Sequence, residues 1–132
     1  MGGLQKSFRS GSIFVIDIID VGSGNIRSIK NWIEKVNIPT RVVDRADDIK
    51  GELLIIPGVG SAGSYMSRIR SGGFDKAILE HVDSGGRLLG VCLGLQIMGS
   101  FSSEDGGVKC LNLLDGHVEK LSDNASHNGW AE

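Results

Sequence analysis

Apolar residues run almost unbroken through Ile13–Ile19 (IFVIDII), again through Leu53–Ile56 (LLII) and again through Arg87–Val91 (RLLGV). Short continuous runs rich in branched side chains are how strands buried on both faces read. Between them the apolar period lengthens. Ile26, Ile29, Ile33 and Val36 fall on one helical face, which predicts an amphipathic helix over Asn25–Val36. Asn37 and Pro39 stop it. Thr40–Val43 reads as a short strand and Asp44–Lys50 as a polar connection. Ser61–Arg70 predicts a helix that ends at Ser71-Gly72-Gly73. Phe74, Ile78 and Val82 then space a further helix over Phe74–Val82. A last helix begins at Leu93–Gly99. Gly106–His117 is loop-rich, His117–Leu121 has strand character, and Ser122–Glu132 is polar apart from Trp130.

Strands that alternate with helices predict an α/β fold: a mainly parallel sheet between two helical layers, a three-layer sandwich. Right-handed crossovers follow from strand twist. No repeat or low-complexity stretch interrupts the pattern. Met1–Ser12 is polar, carries two basic residues and no apolar segment, and reads as a leader or remnant rather than a signal peptide. The folded unit is therefore expected over residues 13–132.

Composition narrows the field. With 132 residues, 40% hydrophobic and 23% charged, the chain fits one globular domain. A net charge of -2 without a Lys/Arg cluster gives no footprint for nucleic acid or an anionic membrane. No apolar run is long enough to span a bilayer. The two cysteines, Cys92 and Cys110, lack metal-ligand spacing, so no metal or cofactor is expected, and a cytoplasmic setting with reduced thiols is. Twenty glycines suggest tight turns and close backbone approaches.

Three glycine-rich segments follow predicted strands. Gly90-Val91-Cys92-Leu93-Gly94 is a G-x-C-x-G pattern between a strand and a helix. Small residues on either side permit the sharp turn that lifts a nucleophile above a sheet edge, and a helix N-terminus behind it favours a thiolate. The alternative is an inert buried cysteine in a glycine-rich turn. Pro57-Gly58-Val59-Gly60 lies where open α/β sheets place ligands, and its N–H groups suit an oxyanion hole as well as an ordinary turn. Gly22-Ser23-Gly24-Asn25 opens a helix but lacks a full phosphate-binding pattern, so Asn25 reads better as a cap or a clamp on a neighbouring loop.

Together these residues resemble the class I glutamine amidotransferases, in particular the glutaminase subunits of imidazole glycerol phosphate synthases and their relatives in surface-saccharide assembly. Asp20–Asn25 matches the family's Asp-x-Gly-x-Gly-Asn turn, Pro57–Gly60 its oxyanion loop, Gly90–Gln96 its Gly-x-Cys-Leu-Gly-x-Gln elbow, and His127-Asn128-Gly129-Trp130 a later His-x-Gly-Trp segment. The resemblance implies a flavodoxin-like topology and a Cys92 nucleophile that forms a glutamyl thioester. It implies an oxyanion held by the backbone of Gly58, Val59 and Leu93. Gln96 would hydrogen-bond the glutamine, Asn25 would set the oxyanion loop, and His127 would lie near that loop. It also implies ammonia transfer to a (β/α)8-barrel cyclase-type synthase subunit.

The chain departs from the family in one respect. The family's catalytic His and Glu occupy a Pro-x-His-Pro-Glu segment that has no match before Glu132, so the domain is expected to be truncated at its C-terminus and inactive as it stands. His117-Val118-Glu119 has a related spacing but aligns with a structural strand, and His81 is expected on an exposed helix face. Without a paired base the thiol proton has no relay. The competing readings are a catalytically dead amidotransferase-like binding module, and a flavodoxin-like or receiver-like domain for which Asp17 and Asp20 are the only first-strand candidates. Apolar strand faces without their full cover predict a homo-oligomer.

Overall fold

The computed structural model describes residues 14–22, 26–119 and 121. Asn25 and His127 lie outside them, as does the whole polar tail, residues 122–132. Four strands form a parallel sheet: β1 (Ile16–Ile19), β2 (Thr40–Val43), β3 (Leu53–Ile56) and β4 (Arg87–Gly90), in the order β2-β1-β3-β4. The chain steps from β1 outward to β2, then crosses back to β3 on the other side. That reversal makes a topological switch point between β1 and β3, where the carboxyl ends of the strands open a crevice.

Handedness then distributes the helices. The β1-to-β2 crossover through α1 (Ile26–Glu34) moves one way along the sheet. The β3-to-β4 crossover through α2 (Ala62–Ser71) and α3 (Phe74–Asp83) moves the other way, so right-handed connections place them on opposite faces. On one face Ile19, Leu54 and Ile56 pack with Tyr65, Met66, Ile69, Phe74 and Ile78. On the other, Ile16, Ile18 and Ile55 pack with Ile33, flanked by Ile26 and Ile29. The predicted three-layer α/β sandwich is the observed one.

Several local expectations need correction. β1 starts at Ile16; Phe14 and Val15 precede it outside the ladder. β4 was expected to be buried on both faces, yet Leu89 is 39% exposed. It is the sheet's edge strand among the described residues, and its side chains on the α1 face lie beyond the span that one helix covers. His81 is fully buried, not on an exposed face: its Nε2 lies 2.8 Å from the Arg87 carbonyl oxygen, and a Cβ on Gly86 would overlap its ring. A small second sheet spans residues 101–118, running into the segment expected to be loop-rich. Strands β5 (Phe101–Ser102) and β6 (Val108–Lys109) form an antiparallel pair, and β7 (His117–Val118) runs parallel to β5. Its Cys110 and Leu111 join the larger core.

Asp17 is the one charged residue buried within β1. Its carboxylate accepts hydrogen bonds from Arg41 Nε (2.9 Å) and Nη2 (3.0 Å) on β2, and from the backbone N–H groups of Lys50 and Gly51 (both 2.7 Å). The strand register places Asp17 opposite Arg41. Buried carboxylates persist when paired and hydrogen-bonded, and this one joins two strands to the segment that enters β3. Asp17→Asn leaves an NH2 group facing these donors, and we expect a loss of about 2–3 kcal/mol. Arg41 is half exposed and Asp17 retains both backbone donors without it, so Arg41→Gln is expected to cost about 1 kcal/mol. Urea unfolding of the two variants checks the ranking; equal losses would contradict it.

Candidate active site at the strand-to-helix elbow

Beyond β4 the Val91 N–H donates to the Ile56 carbonyl (3.0 Å) and prolongs the ladder by one residue. Cys92 then turns the chain at φ 55, ψ -121. A non-glycine residue with positive φ is uncommon and disfavoured, and single residues of this kind concentrate at functional turns. One helical turn, α4 (Leu93–Gln96), follows directly. The Cys92 side chain is exposed, whereas Leu93 is buried.

The flanking glycines explain how the turn is held. A Cβ on Gly94 would overlap the Ile56 carbonyl oxygen. One on Gly90 would lie 2.6 Å from Met98 Sδ and 2.7 Å from Leu95 Cα. The one-turn helix therefore sits directly on the ends of β3 and β4, in contact that no side chain permits. The helix expected over Leu93–Gly99 stops at Gln96, because Met98 and Gly99 turn their carbonyls to the N–H groups of Leu113, Leu114 and Asn112. A single turn sums few peptide dipoles, so the positive helix end expected behind the sulfur is weak.

Pro57–Gly60 leaves β3 beside this elbow. Pro57 and Gly58 are buried, while Val59 and Gly60 are exposed. A Cβ on Gly58 would lie 2.9 Å from the Tyr65 ring and 3.1 Å from both Gly94 N and Leu93 Cβ. The Leu93 N–H donates to the Gly58 carbonyl (3.3 Å). One expected oxyanion donor thus already has an internal acceptor. Gln96 is exposed one helical turn after Cys92.

Four contacts that sequence reasoning missed fix the flanks of this loop. The Tyr65 hydroxyl donates to the Pro57 carbonyl. Burial pushes the Tyr65 phenol far above its usual range, with the nearby Asp20 carboxylate adding to the effect, so it remains a donor at neutral pH. At the start of α2, Glu104 Oε1 accepts from Ala62 N–H (3.1 Å) and Asp105 Oδ2 from Gly63 N–H (2.8 Å). Ser61 Oγ accepts from Ser64 N–H (3.3 Å), a local N-cap. The two acidic partners lie 42 residues away, so no short pattern announces them.

His117 lies on β7, where its Nε2 is 2.9 Å from Glu119 Oε1, both side chains being exposed. The two thiols differ in setting: burial pushes Cys110 upward from the ordinary thiol value, Glu104 adding to this and Arg70 opposing it. A cavity of about 740 Å³ lies away from the elbow, between Ala46–Ile49 and α3, and Cys92 does not line it.

A positive-φ cysteine between two closely packed glycines, in a turn whose Leu93 and Gly94 pack against the glycine loop after β3, is the nucleophile-elbow arrangement. The family model for CobB/CobQ-like glutamine amidotransferase domains matches residues 23–128. The chain belongs to the class I glutamine amidotransferases. Imidazole glycerol phosphate synthase subunit HisH from Bacillus velezensis is 38% identical over 125 residues, covering 88% of this chain and 59% of that protein. Imidazole glycerol phosphate synthase hisHF from Emericella nidulans is 35% identical over 119 residues, covering 87% of this chain and 22% of that one. A crystal structure of a glutamine amidotransferase superposes with a TM-score of 0.70 at 20% identity, over 83% of this chain and 58% of the other, a likeness of fold. This amidotransferase chain thus spans about 59% of the length of the HisH relative it matches.

The elbow geometry makes a direct prediction. Gly94→Ala forces the α4 backbone off β3 and is expected to cost at least about 3 kcal/mol, the range of severe core overpacking. Gly60 has φ +97 but open space around it, so Gly60→Ala is expected to cost only its backbone strain, about 1–2 kcal/mol. Thermal unfolding of both variants distinguishes the two; a tolerated Gly94→Ala would mean that the elbow is not closely packed.

Proposed function

We propose that Cys92 attacks the side-chain amide of glutamine, forms a γ-glutamyl thioester and releases ammonia for a synthase partner. The observation that carries this reading is the exposed Cys92 at φ 55 between Gly90 and Gly94, beside the Pro57–Gly60 loop. Attack places negative charge on the former amide oxygen. Gly58, Val59 and Leu93 are the backbone groups we assign to it. Because the Leu93 N–H now donates to the Gly58 carbonyl, the Gly58–Val59 peptide must rotate before that donor is available. Rotation carries the carbonyl away and swings the Val59 N–H, on the opposite side of the same trans peptide, toward the vacated position. Glycine at 58 lowers the barrier to such a turn. Gln96, Asn25 and His127 are assigned to glutamine binding and to support of the loop by the match of their motifs.

The partner half of the proposal draws on the relatives' names. HisH is called a subunit of imidazole glycerol phosphate synthase, and hisHF names a longer synthase chain containing a matching segment. We assign the ammonia acceptor to a cyclase-type synthase subunit with a barrel fold.

A second reading, a binding module without turnover, is favoured by one observation: the described histidines, His81 and His117, have partners in Arg87 and Glu119 rather than Cys92. Labelling and turnover separate the two. A glutamine-mimicking electrophile of the acivicin type is expected to label Cys92 and not Cys110, with saturation kinetics and protection by glutamine, and Cys92→Ala is expected to abolish it. Mass spectrometry of the labelled peptides reads this out. Ammonia release by the chain alone is expected to be negligible. Equal labelling of both cysteines without protection by glutamine would remove the substrate assignment. Labelling without turnover would leave Cys92 chemically competent and point to a base supplied from elsewhere.

A further inference from the structure

We infer that Tyr65 is a positioning residue that fixes the Pro57–Gly58 peptide plane, so that only the next peptide turns when the oxyanion loop arms itself. This rests on the reading of Pro57–Gly60 as the oxyanion loop. A loop with glycines at 58 and 60 has soft torsions, and Gly60 is at φ +97 with nothing within 4 Å of a Cβ placed there. Oxyanion donors work only when their aim is set before the reaction, so the ends of such a loop must be held by rigid elements. Its C-terminal end is held by the bonds of Ala62 and Gly63 to Glu104 and Asp105 and by the Ser61 cap. On the other side, Ile56 is held in β3 by β4, its carbonyl accepting the Val91 N–H. The next group in the chain is the Pro57 carbonyl, and its partner is the Tyr65 hydroxyl.

That bond determines more than one atom. The peptide is trans, so a carbonyl turned toward Tyr65 sends the Gly58 N–H in the opposite direction, away from the α2 core. Pro57 is buried, and turning its carbonyl elsewhere would leave a buried acceptor unpaired. The Tyr65 ring also lies beneath Gly58, where a Cβ would meet it at 2.9 Å, so the side chain supports the plane that its hydroxyl orients. Tyr65 itself is 1% exposed within the core formed by α2, α3 and the sheet, and it moves only if that core moves.

The test compares two chemistries at the same sulfur. Acylation of Cys92 by an activated γ-glutamyl ester builds an oxyanion, whereas alkylation by iodoacetamide displaces iodide and builds none. Tyr65→Phe keeps the ring and removes the hydrogen bond. In the full chain we expect it to slow acylation about tenfold, the scale of one hydrogen bond, and to leave alkylation within about twofold. A purely structural role would slow both reactions or neither, and either result overturns the proposal. Absence of acylation in the unaltered chain overturns the elbow reading as well; equal acylation of the two chains overturns this inference alone. If Tyr65→Phe does not fold, the unaltered sequence supplies a second measurement, because Tyr65 is its single tyrosine. 3-Fluorotyrosine incorporated there should give one 19F resonance that stays in place when Cys92 is acylated. A resonance that shifts or splits would show Tyr65 moving with the loop and would overturn the proposal.

Discussion

The contact on which the site depends is that of the Gly94 backbone against the Ile56 carbonyl. It brings the first turn of α4 down onto the ends of β3 and β4, and the chain can arrive there only by turning at Cys92 with positive φ. Such a conformation is disfavoured by about 1–3 kcal/mol for a residue with a Cβ. It is maintained by the ladder bond from Val91 to Ile56 and by burial of Leu93. The consequence is an exposed sulfur at the carboxyl end of the sheet, with the rest of its turn locked beneath it.

The fold supplies the second half of the site by topology. Reversal of the strand order between β1 and β3, which run parallel, opens a crevice beside the Pro57–Gly60 loop, and α2 begins only two residues beyond that loop. Tyr65, Glu104 and Asp105 hold its two flanks. Between these flanks lies the short glycine segment in which the Gly58 carbonyl accepts the Leu93 N–H. At the opposite end of the sheet, the Asp17 network fixes the register of β1 and β2 and the approach to β3.

Much of this was legible from residue order. Continuous apolar runs marked β1, β3 and β4, helical spacing marked α1, α2 and α3, and glycines around Cys92 marked the elbow. These signals are local: each depends on residues within about two turns or one strand of one another. What sequence reasoning missed depends on contacts between distant segments. Nothing near Glu104 or Asp105 indicates that they cap a helix 42 residues earlier. His81 looks like a surface residue on a helical wheel until Gly86 folds back over it and Arg87 offers its carbonyl. Strands β5 and β6 are two residues each, too short for any alternation to register. Leu89 reads as buried by type and is exposed by position, because coverage of an edge strand depends on what packs beside it.

The central claim, that the backbone at position 92 is strained to present a nucleophile, is tested most directly by the stability of Cys92→Gly. Glycine accepts φ 55, ψ -121 without a Cβ penalty, at an entropic cost of about 0.5–1 kcal/mol in the unfolded chain. The account predicts that Cys92→Gly raises the urea midpoint at unchanged m-value, a gain of about 1 kcal/mol, while Cys92→Ala, which keeps the Cβ, gives none. A Cys92→Gly chain that is less stable than the unaltered one, or no more stable than Cys92→Ala, would contradict the strained elbow and the role assigned to Cys92.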